Sequence, residues 1–178
     1  GKIGQAQELI RAVPATGPNQ TRLKQVAEVQ LLRDAGLSQQ AYALQSEMQK
    51  QAPEDVELAY DTALLAEKAG NTDEMERLLR DIIARKPDFQ HAYNALGYSY
   101  AERNIKLDEA QALIQKALDL QPGDPFITDS LAWVHFRRGQ LDEATKLLEQ
   151  AYAIRQDPEI AAHFGEVLWA QNKRDRAV

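Results

Sequence analysis

The feature that most constrains this chain is a sequence repeat of about 34 residues. The tetrapeptide Leu-Asp-Glu-Ala occurs at residues 107–110 and again at 141–144, which is 34 residues later. Six residues that tolerate a left-handed backbone follow one another at intervals of 33 to 35 residues: Gly1, Gly36, Gly70, Asn104, Gly139 and Asn172. Because such residues commonly end helices, the pattern predicts one helix-ending turn in each repeat.

Further registers share this period and predict that each repeat is a pair of helices. Small side chains are expected where the two helices cross closely, at Val29, Ala63, Gly97, Ala132 and Gly165. The second helix carries a register at Ala6, Ala41, Met75, Ala110, Ala144 and Ala177, and another four residues later at Ile10, Gln45, Leu79, Ile114 and Leu148. A spacing of four places residues on one helix face. We expect prolines to end the second helices, at Pro18, Pro53, Pro87 and Pro122.

One repeat carries a recognisable set of residues: Tyr93, Leu96, Gly97, Tyr100, Ala110, Ile114, Ala117 and Pro122. This set resembles the signature of the tetratricopeptide repeat family, and the resemblance extends over the whole chain. It implies an all-α fold, a right-handed superhelical solenoid of antiparallel helix pairs. The registers predict complete repeats at 22–55, 56–89, 90–124 and 125–157, after a lone second helix at 1–21 and before an incomplete repeat at 158–178. We expect the chain to be part of a longer array.

Charge and composition argue against several functions. The 27 acidic and 21 basic residues are interspersed, and no run of Lys or Arg could follow a phosphate backbone, so we expect no nucleic acid partner. The chain has no Cys, which excludes disulfides and thiolate chemistry. No apolar stretch approaches the ~18 residues that a membrane-spanning helix needs.

The sequence shows no catalytic or metal-binding pattern, so we expect no enzyme activity, no cofactor and no metal. The three histidines lie in different repeats, so no two of them share a helix at the spacing of three or four residues that makes a pair of histidine ligands. Acidic pairs at 73–74, 108–109 and 142–143 fall where second helices begin, and there negative charge complements the helix dipole. Asp124-Pro125 and Asp157-Pro158 are typical of an N-cap followed by proline at the first helical position.

Protein binding is the function that this architecture predicts. The resemblance implies that first helices line a concave face, on which residues three or four apart share one stripe. The predicted groove for a protein or peptide consists of the following residues: Tyr60, Leu64, His91, Asn94, Tyr98, Phe126, Asp129, Trp133, Phe136, Arg137 and Trp169. Solvent-facing Tyr and Trp supply large, rigid contact areas at low entropic cost. We expect Asn94 and Asp129 to bind backbone amides and Arg137 to bind an acidic group. The alternative is that aromatic residues such as Trp133 pack against the neighbouring hairpin.

Three segments are more distinctive than a generic repeat, at 94–99, 123–134 and 157–169. They resemble the C-terminal part of proteobacterial tetratricopeptide outer-membrane lipoproteins that act as adaptors of a carboxyl-terminal processing protease. The resemblance implies that the partners are such a protease, its cell-wall hydrolase substrates, or both. It also implies a location at the periplasmic face of the outer membrane, with attachment only through a lipid anchor outside these residues.

Two other functions are compatible with the repeat pattern. A chaperone-type module would capture the C-terminal carboxylate of a client through Lys and Asn, but Asn94 has no matching Lys one turn earlier. A structural assembly role would use self-association through open solenoid ends, which expose apolar surface. An enzyme would need an active site in sequence beyond this chain.

Overall fold

The computed structural model describes residues 1–173, and this part of the chain is all α-helical, which confirms the predicted fold class. Its ten helices are α1 (Lys2–Ala12), α2 (Pro18–Asp34), α3 (Ser38–Gln51), α4 (Val56–Lys68), α5 (Thr72–Arg85), α6 (Gln90–Glu102), α7 (Leu107–Leu120), α8 (Pro125–Arg137), α9 (Leu141–Ile154) and α10 (Pro158–Ala170). The chain divides into two units, Gly1–Ile82 and Ile83–Val178. Ala177 of the predicted second-helix register lies outside the described residues.

The helix-ending turns have the predicted left-handed backbone. Their φ angles are 71° at Gly36, 81° at Gly70, 54° at Asn104, 75° at Gly139 and 59° at Asn172. In each turn the following residue donates its backbone N–H to a carbonyl five residues earlier; the first case is Leu37 N–H to Leu32 O at 2.9 Å. This is the hydrogen-bond pattern of a Schellman motif, which satisfies carbonyls that the helix end would otherwise leave free.

Helix starts locate the repeats along the chain. Val56, Gln90, Pro125 and Pro158 are the first residues of α4, α6, α8 and α10, and also of the repeats predicted to begin there. The exception is Pro18, which was expected to end a second helix but instead starts α2. Proline suits the first turn of a helix, because the N–H that it lacks would have no intrahelical partner there. The first hairpin therefore begins at residue 18 rather than 22.

Side-chain capping follows the sequence prediction. Asp124 accepts hydrogen bonds from the backbone N–H groups of Phe126 and Ile127 at 2.9 and 3.0 Å, and Asp157 accepts one from Glu159 at 2.9 Å. The three acidic pairs lie in the first turns of α5, α7 and α9, as predicted. These charges face the positive ends of the helix dipoles, so a structural role accounts for them.

The first unit is built around the hairpin of α2 and α3. Its core cluster consists of Val29, Leu32, Ala41, Met48 and Leu65. Lys24 also lies on α2, and its ammonium group donates to the carbonyl oxygens of Arg11 and Val13 at 2.7 and 2.6 Å. Lys24 thus satisfies carbonyls at the end of α1 and fixes that helix against α2.

The second unit contains the hairpins α6–α7 and α8–α9, with α10 packed against α8 and α9. One core cluster consists of Ala132, Ala144, Leu148, Ala151, Ile160 and Val167. The close crossing predicted at Gly97 is present, because a Cβ atom there would lie 2.6 Å from Cγ1 of Ile114 and 2.9 Å from the carbonyl oxygen of Ala110. Glycine therefore lets α6 and α7 approach closely at this point. The packing keeps α6, α8 and α10 on one side of the unit, where their side chains meet.

Candidate binding surface

Side chains from α6, α8 and α10 form one cluster in the second unit. Tyr98 comes from α6, Asp129 and Trp133 come from α8, and His163 comes from α10. We call these four residues the Trp133 cluster. Three of them were predicted to line the groove, and the structure brings these three together around His163, which sequence analysis had set aside.

Asp129 and His163 form the polar centre of the Trp133 cluster. Nδ1 of His163 lies 2.8 Å from Oδ2 and 3.0 Å from Oδ1 of Asp129, and only 12% and 6% of the two side chains are exposed. Burial alone would lower the pKa of His163. The hydrogen bond and negative charge of Asp129 outweigh that effect, so the pKa is raised above its ordinary value of about 6.5.

Trp133 lies beneath His163 and is 5% exposed. The two rings stack with centroids 4.3 Å apart and an interplanar angle of 22°. Phe136 contacts the indole at 4.9 Å between centroids, and the guanidinium of Arg137 lies 5.9 Å from the ring. The expectation that Trp133 faces solvent is therefore wrong, because Asp129 holds His163 over its face. The indole N–H is buried and has no hydrogen-bond acceptor within residues 1–173.

Two further expectations change once the contacts are known. Asp129 was expected to bind backbone amides of a partner, but its carboxylate is already bound by His163. Arg137 was expected to bind an acidic group, but its guanidinium donates to the backbone carbonyls of Ala101 and Glu102 at 3.1 and 3.0 Å. Arg137 thus links the end of α6 to the end of α8.

Tyr98 borders the cluster on the α6 side. Its hydroxyl lies 3.4 Å from Nε2 of His163, and the side chain is half-buried. Burial raises the pKa of Tyr98 well above its ordinary value, and the negative charges of Glu102, Glu159 and Asp129 raise it further. The hydroxyl therefore remains protonated and can donate a hydrogen bond.

The other predicted residues of the second unit differ in exposure. Asn94 lies one helical turn before Tyr98, and its carbonyl oxygen Oδ1 is buried without a donor within the described residues. His91 is exposed. Phe126 is 39% exposed, with the guanidinium of Arg155 5.1 Å from its ring, and Trp169 on α10 is 56% exposed. Binding of backbone amides by Asn94 stays a prediction.

Tyr60 and Leu64 belong to α4 in the first unit, and both are half-buried. Burial raises the pKa of the Tyr60 hydroxyl, with smaller contributions from the negative charges of Asp61 and Glu57. Neither residue is part of the Trp133 cluster. Their role in binding remains a prediction.

His163 is the site residue that sequence reasoning missed. Helical spacing relates residues three or four positions apart, so it does not connect His163 with a residue on another helix. Asp129 precedes His163 by 34 residues, which is one repeat length. Residues one period apart lie on equivalent positions of neighbouring repeats and can therefore touch. Within residues 1–173 no three His, Cys, Asp or Glu side chains are grouped so as to hold a metal ion.

None of the helices in this part of the chain combines the length and the apolar character that crossing a bilayer requires.

Comparison with known proteins agrees with this architecture. Residues 105–163 match the tetratricopeptide repeat family. The TPR repeat-containing protein PA4667 of Pseudomonas aeruginosa is 39% identical over 166 residues, which are 93% of this chain but 28% of that protein. This chain therefore spans little more than a quarter of the length of that relative.

Solved structures show the same fold at lower identity. A tetratricopeptide repeat protein from Parabacteroides merdae gives a TM-score of 0.78 at 17% identity, over 98% of this chain and 69% of that one. The thermophilic TPR protein TTC0263 from Thermus thermophilus gives 0.71 at 22% identity, over 88% and 81%. The repeat period, the helix pairs and these similarities lead to one conclusion: the chain has the fold of tetratricopeptide repeat proteins, and residues 105–163 match that family's repeat.

Proposed function

We propose that this chain is a non-catalytic adaptor that binds a partner protein through the first helices of its second unit. The tetratricopeptide fold supports a protein-interaction scaffold, since stacked helix pairs offer extended side-chain surface rather than an enclosed reaction site. The observation that carries the proposal is the exposure of two aromatic rings on first helices, Phe126 on α8 and Trp169 on α10. Aromatic side chains, Trp above all, are enriched in binding hot spots because they supply large, rigid contact areas.

The partner that we propose is a periplasmic carboxyl-terminal processing protease, with cell-wall hydrolases as the substrates delivered to it. The resemblance of segments 94–99, 123–134 and 157–169 to adaptors of such proteases supports this choice. An adaptor needs no chemistry of its own, because holding enzyme and substrate together raises their effective concentration. The parent protein would then lie at the periplasmic face of the outer membrane, held by a lipid anchor outside this chain.

A carboxylate-capturing chaperone is the weaker alternative. Such a module needs basic side chains to pair with a terminal carboxylate. Helices α6, α8 and α10 contain no Lys, and their single Arg, Arg137, donates to backbone carbonyls. The charges on these helices therefore favour a partner other than a free C-terminus.

Binding can be measured directly with purified proteins. The chain is immobilised, and a proteolytically inactive carboxyl-terminal processing protease and a cell-wall hydrolase are passed over it separately. We expect saturable binding of at least one, weakened about 30-fold or more by Phe126→Ala or Trp169→Ala, because hot-spot truncations cost about 2 kcal/mol or more. Ile154→Ala is the matched control, since Ile154 is an exposed apolar residue, 62% accessible, on a second helix.

The outcomes distinguish the general proposal, which is protein binding through the first helices, from the specific proposal of a protease partner. If neither protein binds, the protease-adaptor assignment is wrong. If binding survives both aromatic substitutions but falls with Ile154→Ala, the partner uses second helices, and the first-helix surface is not the docking site.

A further inference from the structure

The second helices α3, α5, α7 and α9 share a stripe of three positions, spaced four and then three residues apart. Such spacing places the three side chains on one helix face. In these four helices every stripe residue is at most 5% exposed. The stripes consist of Ala41, Gln45 and Met48; Met75, Leu79 and Ile82; Ala110, Ile114 and Ala117; and Ala144, Leu148 and Ala151.

The same stripe is open on α1. Its counterparts lie 35 residues before those of α3, at Ala6, Ile10 and Val13. Ala6 and Ile10 are half-buried, Val13 is 55% exposed, and α1 contains no buried residue. Helix α1 therefore has the apolar pattern of a second helix, but that pattern faces solvent.

The other hairpins show what covers this stripe. On α7 the cover is α6, since Gly97 crosses so closely that a Cβ atom there would lie 2.6 Å from Cγ1 of Ile114 and 2.9 Å from the carbonyl oxygen of Ala110. Ala132 of α8 lies in one core cluster with the stripe of α9, and Val29 of α2 lies in one with residues of the α3 stripe. In each case the first helix of the hairpin packs on the stripe with a small side chain or a glycine.

The open stripe of α1 forms one wall of an apolar groove, and α2 forms the other. We call it the α1–α2 groove; its apolar lining includes Ile10 and Val13 from the α1 side and Leu23 and Ala27 from α2. Leu23 is 68% exposed, and Ala27 is exposed as well. A first helix also contacts the next first helix, as α6 contacts α8. A helix that covered α1 in the same way would therefore also cover this face of α2.

Polar contacts hold α1 in position beside the groove. Gln7 donates to the carboxylate of Glu28 at 3.0 Å, and Arg11 forms an ion pair with the same carboxylate. Glu28 lies on α2 and is only 7% exposed. These contacts use side chains next to the stripe and leave Ala6 and Ile10 available. The groove is therefore formed before anything occupies it.

We propose that the α1–α2 groove holds one more amphipathic helix, antiparallel to α1 and contributed by residues that precede Gly1 in the parent protein. This helix carries Gly, Ala or Val opposite Ala6 and Ile10. The length of a relative supports an intramolecular source, because the matched segment is 28% of PA4667 and most of that protein lies outside it. The inference goes beyond the proposed function and does not depend on the protease partner.

A helix suits this groove better than an extended peptide. An extended peptide gains affinity from a free sheet edge, whereas the backbone groups of α1 and α2 are used within their own helices. A second copy of the chain is the competing source. Its crossing residues on α2, α4, α6 and α8 are buried, whereas Gly165 on α10 is half-buried. The experiment therefore has to separate a preceding helix from α10 of another copy.

The test uses the 178-residue chain and a defined probe, the acetylated and amidated peptide of residues 54–70, which contains α4 and its Asp55 cap. A control peptide carries Ala63→Lys, which preserves helix propensity and places a long charged side chain at the crossing. Binding is followed through the backbone amide signals of residues 3–13 by ¹H–¹⁵N NMR. We expect saturable shifts with the first peptide and none with the control.

Two variants of the chain locate the peptide. Ile10→Asp should weaken binding about tenfold or more, because the peptide would bury an unpaired charge. Leu9→Asp is the matched control, since Leu9 is 71% exposed and lies beside the stripe, and it should change the affinity less than about twofold. Both variants should keep the α2–α3 core, which circular dichroism and urea unfolding check, because α1 contributes no buried residue.

The longer parent protein identifies the source of the helix. There the peptide should not bind, and the α1 amides should exchange with solvent about tenfold or more slowly than in the 178-residue chain, because the groove is already filled. Equal peptide binding by the parent protein would refute an intramolecular occupant. So would self-association of the parent protein that Ile10→Asp abolishes, which would assign the groove to a second copy. No saturable shift in the 178-residue chain, or equal binding of the Ala63→Lys peptide, would refute helix docking itself.

Discussion

The ion pair between Asp129 and His163 should make the stability of the second unit depend on pH in a defined direction. Asp129→Asn keeps the size of the side chain and removes its charge. Both partners are largely buried, with 6% and 12% of their side chains exposed, so solvent screens the contact little. The pKa of His163 is raised in the folded protein, which means that the folded state holds its proton more tightly than the unfolded chain.

The sign of the pH effect follows from this raised pKa. Stabilisation by the His163 proton is complete below the unfolded-state pKa of about 6.5, and it is lost as the pH rises through the higher folded-state pKa. A hydrogen bond to a charged group contributes about 1.5–3 kcal/mol, and the contribution lies towards the upper end when the imidazole is also charged. We therefore expect Asp129→Asn to cost about 3 kcal/mol at pH 5.5 and about 1.5 kcal/mol at pH 8.5.

Urea unfolding of parent and variant at both pH values, followed by circular dichroism, measures these costs. The difference between the two costs should disappear in a His163→Gln background, where no proton is bound. His135→Gln is the control, because His135 bonds to Gln140 at 2.7 Å and does not touch Asp129. The reasoning is refuted if Asp129→Asn costs the same at both pH values, or if His163 titrates by NMR at or below 6.5.

Two further substitutions test the fold. Gly97→Ala should destabilise the protein by about 1 kcal/mol, because overpacking costs about 1–3 kcal/mol and the gain in helix propensity returns about 1 kcal/mol. Gly4→Ala, in a helix with nothing within 4 Å of the new Cβ, should be neutral or stabilising in the same urea assay. If both variants behave alike, the close crossing is not a packing constraint. Asp124→Ala should lower the free energy of unfolding by about 0.5–2 kcal/mol, because two cap hydrogen bonds are lost. Asp119→Ala is the control: Asp119 is exposed and caps no helix start, so its loss should cost less than about 0.5 kcal/mol. Equal costs would contradict the capping role.

The helix pairs could be predicted from sequence because each depends on interactions between residues close along the chain. A left-handed turn needs Gly or Asn, so Gly70 and Asn104 identify the hairpins without knowledge of the partner helix. An Asp-Pro pair such as Asp124-Pro125 starts a helix through a cap that spans three residues. Pro18 was predicted wrongly because proline is favourable both just after one helix and at the start of the next. The linker between α1 and α2 is short, so the sequence alone does not show to which of the two helices the proline belongs.

The binding surface was only partly predictable, for a reason visible in Trp133. Its position on the first-helix stripe of α8 follows from helical periodicity. Its exposure does not, because the side chain that covers it, His163, comes from a helix one repeat later and is held there by Asp129.

The sequence by itself determined the all-α fold, the repeat period, the turns and the caps, all of which rest on contacts within one helix or one hairpin. Only the tertiary structure decided which stripe residues stay exposed, that Asp129 and Arg137 are already bonded, and that Asn94 and Trp133 keep unpaired polar atoms within the described residues. The physical reason is that burial and pairing depend on distances between side chains on neighbouring repeats. Periodicity gives the register of such side chains but not their rotamers or separations.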